Sequence, residues 1–272
     1  IVVGDTAEPV EPEPVGEVWV DSFSQPDTTD GVDILVVIDT SCSMGDNETQ
    51  LLAGVEAFMS NLPEADWRLN MIPASPDKVL TEQQFPLVPG DDIMDAKQMY
   101  DGMTQTGHLE EGFNAVQDYI LSNPYASTWL RWDAALLIVF VSDEEEQSNM
   151  TVDDFTGWLD DYRSSGFMSS IINLDPAESL CNVSITYAGY RYEEATLTYN
   201  GVVMDICSKD WTDGVRDASN SIDPISEWGL TYAPIKESII VFVDGVPFMD
   251  WSYDPIGNKV YFTVLPDGGS LV

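Results

Sequence analysis

The stretch DTSCSMGDNE, residues 39–48, sets three short oxygen-bearing side chains, Asp39, Ser41 and Ser43, at alternate positions directly after the apolar run VDILVVI. Such a set suits a hard divalent cation. Mg2+ in particular takes only one or two carboxylates and keeps several waters. Alone, small polar residues after a strand are also what a turn and a helix cap are made of. Two further stretches favour the cation. MTQTGHLEEGFNAV (103–116) sets a threonine-bearing loop just before a helix, with Thr104 the expected ligand and Thr106 the fallback. IVFVSDEEE (138–146) carries a second apolar run that ends on Asp143. Two carboxylates and three hydroxyls from three loops satisfy such an ion and leave room for one outside ligand.

Positioning these residues requires strands that end at one place. VDILVVID (32–39) and ALLIVFVSD (135–143) are short and nearly continuously apolar, as expected of strands buried on both faces. WRLNMIPA (67–74), FMSSIINL (167–174), VSITYAG (183–189) and VVMDIC (202–207) read as further strands. RYEEATLTYNG (191–201) is open between helix and strand, and 75–107 reads as irregular. Helices are expected where Leu51, Val55, Phe58 and Leu62, then Leu109, Phe113, Val116 and Ile120, then Phe155, Leu159 and Tyr162, then Trp211, Val215, Ala218 and Ile222 recur at steps of three and four. This alternation predicts an α/β fold: a Rossmann-like, doubly wound, mostly parallel sheet with helices on both faces. Ligands of such sheets sit beyond the carboxyl ends of the strands, so both Asp-terminated strands aim their acids at one edge.

The flanks read differently. Residues 1–30 hold eight acidic residues and no Lys or Arg, and their Pro-Glu tract AEPVEPEPVGE predicts an extended, solvated stalk. EVWV at its end has the pattern of a short strand. Over 223–272 apolar residues alternate with period two, and turn signals stand at Asp244-Gly245 and Pro255–Asn258, which predicts a small antiparallel β module. The start at Ile1 without Met is expected of a processed product or part of a longer protein, and the stop at Val272 falls within a strand-like stretch.

Taken in order, Asp-x-Ser-x-Ser at Asp39–Ser43, Thr-x-Thr-Gly at Thr104–Gly107 and the strand-ending Asp143 resemble a von Willebrand factor type A domain with its metal-ion-dependent adhesion site, over roughly residues 31–222. The resemblance implies that Asp39, Ser41, Ser43, Thr104 and Asp143 hold a divalent ion, Mg2+ with Mn2+ or Ca2+ as alternatives. It implies a non-enzymatic protein-interaction module whose partner protein supplies a carboxylate to complete the coordination sphere. Two features depart from the family. Cys42 stands where Gly or another small residue is usual; a CSM version resembles secreted and lipid-anchored bacterial proteins of this type with β-rich tails. Glu144, Glu145 and Glu146 follow Asp143, either as a solvated acidic loop or as charges that raise cation affinity.

The formal net charge of −38 excludes the classes that depend on Lys and Arg, nucleic-acid and anionic-membrane binding, and suits cations or basic partners. The sequence has no run of eighteen apolar residues to insert into a membrane. Three cysteines divide most simply into one pair and one free thiol, with Cys181 and Cys207 the expected pair in an oxidising compartment and three reduced thiols the alternative. With His108 the single histidine, no hydrolase triad or nucleophile elbow is legible. A thiol dyad of Cys42 with His108 is disfavoured, because neighbouring carboxylates raise a thiol pKa. The expected setting is extracellular or at a cell surface. The alternative is a structural part of a larger assembly, a surface appendage or a virion fibre, in which the same domain contacts neighbouring subunits.

Overall fold

The computed structural model describes residues 18–23, 25, 31–61, 67–103, 110–163, 165–181, 184–220, 226–266 and 270–272. The chain divides into two compact units, residues 25–225 forming most of one and residues 226–266 most of the other.

In the larger unit β1 (Val32–Ile38), β2 (Trp67–Pro73), β3 (Ala135–Ser142), β4 (Gly166–Ile172) and β5 (Val203–Asp205) form a sheet of order β2-β1-β3-β4-β5. Every neighbouring pair is parallel. The apolar runs of β1 and β3 are buried on both faces, as their composition predicts. Alternate residues feed two cores. Ile34, Val36 and Ile38 pack with Leu51, Val55 and Phe58 of α1 (Glu48–Asn61), Met99 of α3 (Ile93–Gly102) and Val215 of α8 (Thr212–Asn220). Leu35 and Val37 pack with Phe113 and Val116 of α4 (Gly112–Ser122), Phe155 of α6 (Val152–Tyr162) and Tyr192 of α7 (Tyr190–Thr198). The doubly wound α/β architecture is therefore as expected, with a separate small antiparallel β region.

Several local expectations change. The described residues of VSITYAG, 184–189, form no strand: Ile185–Tyr187 make a 3-10 turn, and α7 follows at Tyr190. Tyr192, Ala195 and Thr196 are its buried residues, and their steps of three and one set a helical face. The stretch 75–107 holds α2 (Pro76–Val79), with Pro at its first position, and α3, whose Asp92 and Asp95 form a capping box. The short α5 (Ala126–Trp129) precedes β3.

The smaller unit comprises β6 (Glu227–Gly229), β7 (Val241–Val243), β8 (Val246–Phe248), β9 (Trp251–Asp254) and β10 (Lys259–Phe262). β6-β10-β9 is an antiparallel sheet, and β7-β8 is a hairpin. Its turn places Asp244 and Gly245 at φ 50° and 76°, the left-handed region that a two-residue hairpin loop requires. Residues 18–23, the end of the stretch read as a stalk, belong to this unit. Phe23 and Val272 exchange backbone hydrogen bonds of 2.9 and 2.8 Å, and the Phe23 ring stacks on Trp228 at 4.5 Å. Residues 1–17 lie outside the described residues.

Cys181 and Cys207 are joined by a disulfide across 26 residues, and Cys42 is free and exposed. Cross-linking a loop of this length removes about 3 kcal/mol of unfolded-chain entropy. The double variant Cys181→Ser, Cys207→Ser is expected to lose about that much stability in urea unfolding. An unchanged midpoint would show that the bridge does not support the fold.

Candidate metal site at the carboxyl edge of the sheet

β1 has β2 on one side and β3 on the other, so the order of the sheet reverses between β1 and β3. Such a switch point leaves a crevice at the carboxyl edge. Asp39 directly follows β1 and Asp143 directly follows β3. The Asp39 N–H continues the ladder to the Val141 carbonyl at 2.9 Å, which fixes the two strand ends against each other.

From there the oxygens form a chain. Asp39 is fully buried, its Oδ1 accepting the Ser41 N–H at 2.7 Å and its Oδ2 the Ser142 hydroxyl at 3.2 Å. The Ser41 and Ser43 hydroxyls lie 2.7 Å apart, and Ser43 donates to Asp143 Oδ1 at 3.0 Å. Ser41 is half-buried and Ser43 exposed, so the chain runs from the core to the surface. Two devices hold it. Met44, in the 3-10 turn Cys42–Asp46, is buried and anchors the first loop in the core. The Asn173 amide donates to the Asp143 carbonyl and ties the third loop to the end of β4.

The electrostatics favour a positive charge. Burial pushes Asp39 up to about 6, against the pull of the Ser41 hydrogen bonds and with a further push from the Asp143 charge. Burial also pushes Glu110, just before α4, up to about 8, and the charges of Asp39 and Glu144 add to it. Among the described residues no ion pair is formed by Asp39, Glu110, Asp143 or Glu144 to offset that burial. Beside Ser43 and Asp143 lies an open cavity of about 720 Å3, reaching Asn47, Gln50 and the Cys181–Cys207 bridge.

Asp39, Ser41, Ser43 and Asp143 are thus together, whereas Thr104, the fallback Thr106 and His108 lie outside the described residues. Among the described residues no three His, Cys, Asp or Glu side chains converge as a metal cage. The donors are two carboxylates and two hydroxyls, a set that fits Mg2+ or a similar hard ion, which needs few protein carboxylates, and not a soft metal. The acidic triplet divides. Glu146 is buried and structural: its Oε2 lies 2.8 Å from Arg191, and its Oε1 accepts the Phe113 N–H at 3.2 Å. Glu145 accepts the Arg191 N–H at 3.1 Å, and Glu144 alone turns toward Glu110. Glu110 was not legible as part of a site, because LEEG before a helix reads as surface.

No family model matches the sequence, and no curated protein matches it. Similar solved structures include proximal thread matrix protein 1 from the mussel byssus, at 11% identity over 73% of this chain and 48% of that chain, with a TM-score of 0.43. A second structure of that protein, with a zinc-occupied MIDAS motif, has 12% identity over 73% and 48%, with a TM-score of 0.40. VWA2, the ArnB paralog of Sulfolobus acidocaldarius, has 11% identity over 76% and 49%, with a TM-score of 0.44. The chain spans about half the length of each.

Proposed function

We propose that the chain is a non-enzymatic protein-interaction module built on a metal-ion-dependent adhesion site of the von Willebrand A type, displayed outside the cytoplasm. One observation carries this reading: the hydrogen-bonded run Asp39–Ser41–Ser43–Asp143 at the β1/β3 switch point, through the Ser41 N–H and then the two serine hydroxyls. Bound there, Mg2+ would supply a Lewis-acidic positive centre that a partner's carboxylate can join. Asp39, held by the Ser41 N–H and the Ser142 hydroxyl, fixes the inner side of the site. Ser41 and Ser43 present hydroxyl oxygens without adding negative charge, which leaves the ion attractive to an outside anion. Asp143, held by Ser43 and through its carbonyl by Asn173, sets the outer side. The reading explains how a chain of net charge −38 engages an acidic partner: the cation is the bridge.

Asp143→Ala is expected to weaken Mg2+ binding, measured by titration calorimetry, by more than the roughly 10–100-fold that loss of an outer-shell partner costs. Retention of the protein on its target surface should disappear with chelator and in this variant. A wild-type chain that takes up neither Mg2+, Mn2+ nor Ca2+ would sink the proposal.

A further inference from the structure

Glu110 and Glu144 are not among the residues assigned above, yet their arrangement is unusual. Glu110 is 1% exposed, and among the described residues its Oε1 has no hydrogen-bond partner. Its Oε2 accepts from the Gln147 amide at 2.9 Å, and the same Nε2 donates to Glu144 Oε2 at 3.3 Å. The Gln147 N–H also donates to the Glu110 carbonyl at 2.9 Å, so backbone and side chain of Gln147 both clasp Glu110. One amide therefore clips two carboxylates side by side, each by one oxygen. The guanidinium that reaches this loop, Arg191, is engaged by Glu146 and by the Glu146, Ser148 and Met150 carbonyls.

A buried carboxylate oxygen without a donor loses its hydration without compensation, and a second carboxylate beside it adds repulsion. The Gln147 amide serves one oxygen of each carboxyl and leaves Glu110 Oε1 without a donor among the described residues. A hard cation would take up that oxygen and join both carboxylates, with waters completing its oxygen set. We infer that Glu110 and Glu144 hold a second divalent cation, next to the Asp39–Asp143 site and distinct from it. The first ion would face a partner, since Ser43 is exposed; the second would tie the start of α4 to the loop after β3. It does not depend on the adhesion reading, because neither Glu110 nor Glu144 belongs to that ligand set.

The test is a count of Mn2+ bound by the chelator-stripped chain, read from the loss of the free-ion EPR signal. Wild type is expected to bind two ions, Glu110→Gln one, Asp143→Ala one, and the double variant none. Glu144→Gln, at a half-exposed position, should reproduce the loss seen with Glu110→Gln and guards against a folding defect in the buried variant. One wild-type ion that both Glu110→Gln and Glu144→Gln retain and Asp143→Ala loses overturns this inference and leaves the adhesion reading standing. One ion lost in the two glutamine variants but retained in Asp143→Ala does the reverse. A single ion lost in all of them overturns the second site, and no bound Mn2+ overturns both.

Discussion

Asp39→Asn is expected to act in two opposite directions: it should end cation binding at the Asp39–Asp143 site and stabilise the cation-free protein by about 3 kcal/mol at neutral pH. The figure follows from the carboxyl being pushed from 3.8 up to about 6 by burial, at about 1.4 kcal/mol per pH unit. Asparagine keeps an oxygen for the Ser41 N–H, and the Ser142 hydroxyl can turn to accept from the new amide. What is lost is a buried negative charge facing Asp143.

The sign of the pH dependence separates this from a general packing effect. An acid whose pKa is raised on folding binds more protons in the native state, so stability falls as pH rises between the two values. Wild type should therefore lose stability from about pH 4 to about 6 through Asp39, and further toward pH 8 through Glu110, pushed up to about 8. Asp39→Asn removes the first part, so the gap between the two proteins opens across that window and is full above it. Urea unfolding in chelator at pH 4.5 and pH 7.5 reads it directly. Equal gaps at both values, or a less stable variant at pH 7.5, would contradict the account. Mg2+ at about 1,000 times its Kd should reverse the order at pH 7.5, since an ion at this site then adds about 4.1 kcal/mol to wild type and nothing to the variant. Instability of the empty site and affinity of the filled one are the same property.

Legibility followed the range of the interactions. β1 and β3 could be read because strands buried on both faces leave unbroken apolar runs, and Asp39, Ser41, Ser43 and Asp143 could be placed because such strands end at one edge. α2 and α3 carried local signals that could have been read, Pro76 and the Asp92–Asp95 box, within a stretch whose Pro, Gly and Asp suggested loop. The pairing of Phe23 with Val272 joins opposite ends of the chain, and no local pattern announces it. Glu110 and Glu146 look alike in sequence to any surface glutamate. Their burial, one without an ion pair among the described residues and one facing Arg191, is decided by helices that pack from elsewhere. The missing information is tertiary: which charges find a partner.

β1 poses that question at both ends, because Asp33 near its start is as completely buried as Asp39 just beyond its end. Asp33 has its cation. Arg131 Nε and Nη2 lie 2.9 and 2.8 Å from its Oδ1, and the Arg131 N–H donates to Oδ2 at 2.5 Å. Burial nonetheless raises the Asp33 pKa, with the Arg131 bonds pulling against it, so the pair as a whole is no large source of stability. Removing one partner is different, because it takes the carboxylate from a guanidinium that is only 14% exposed. Asp33→Ala is therefore expected to cost about 3–5 kcal/mol, the usual penalty for breaking a buried pair. Six residues of strand, about 20 Å, separate Asp33 from Asp39, so cation affinity should not move. The two substitutions at the ends of one strand thus have opposite signs in chelator: Asp39→Asn stabilises and Asp33→Ala destabilises. A loss under about 1 kcal/mol for Asp33→Ala, or a changed Mn2+ count, would show that counter-charge is not what distinguishes a structural carboxylate from a binding one in this fold.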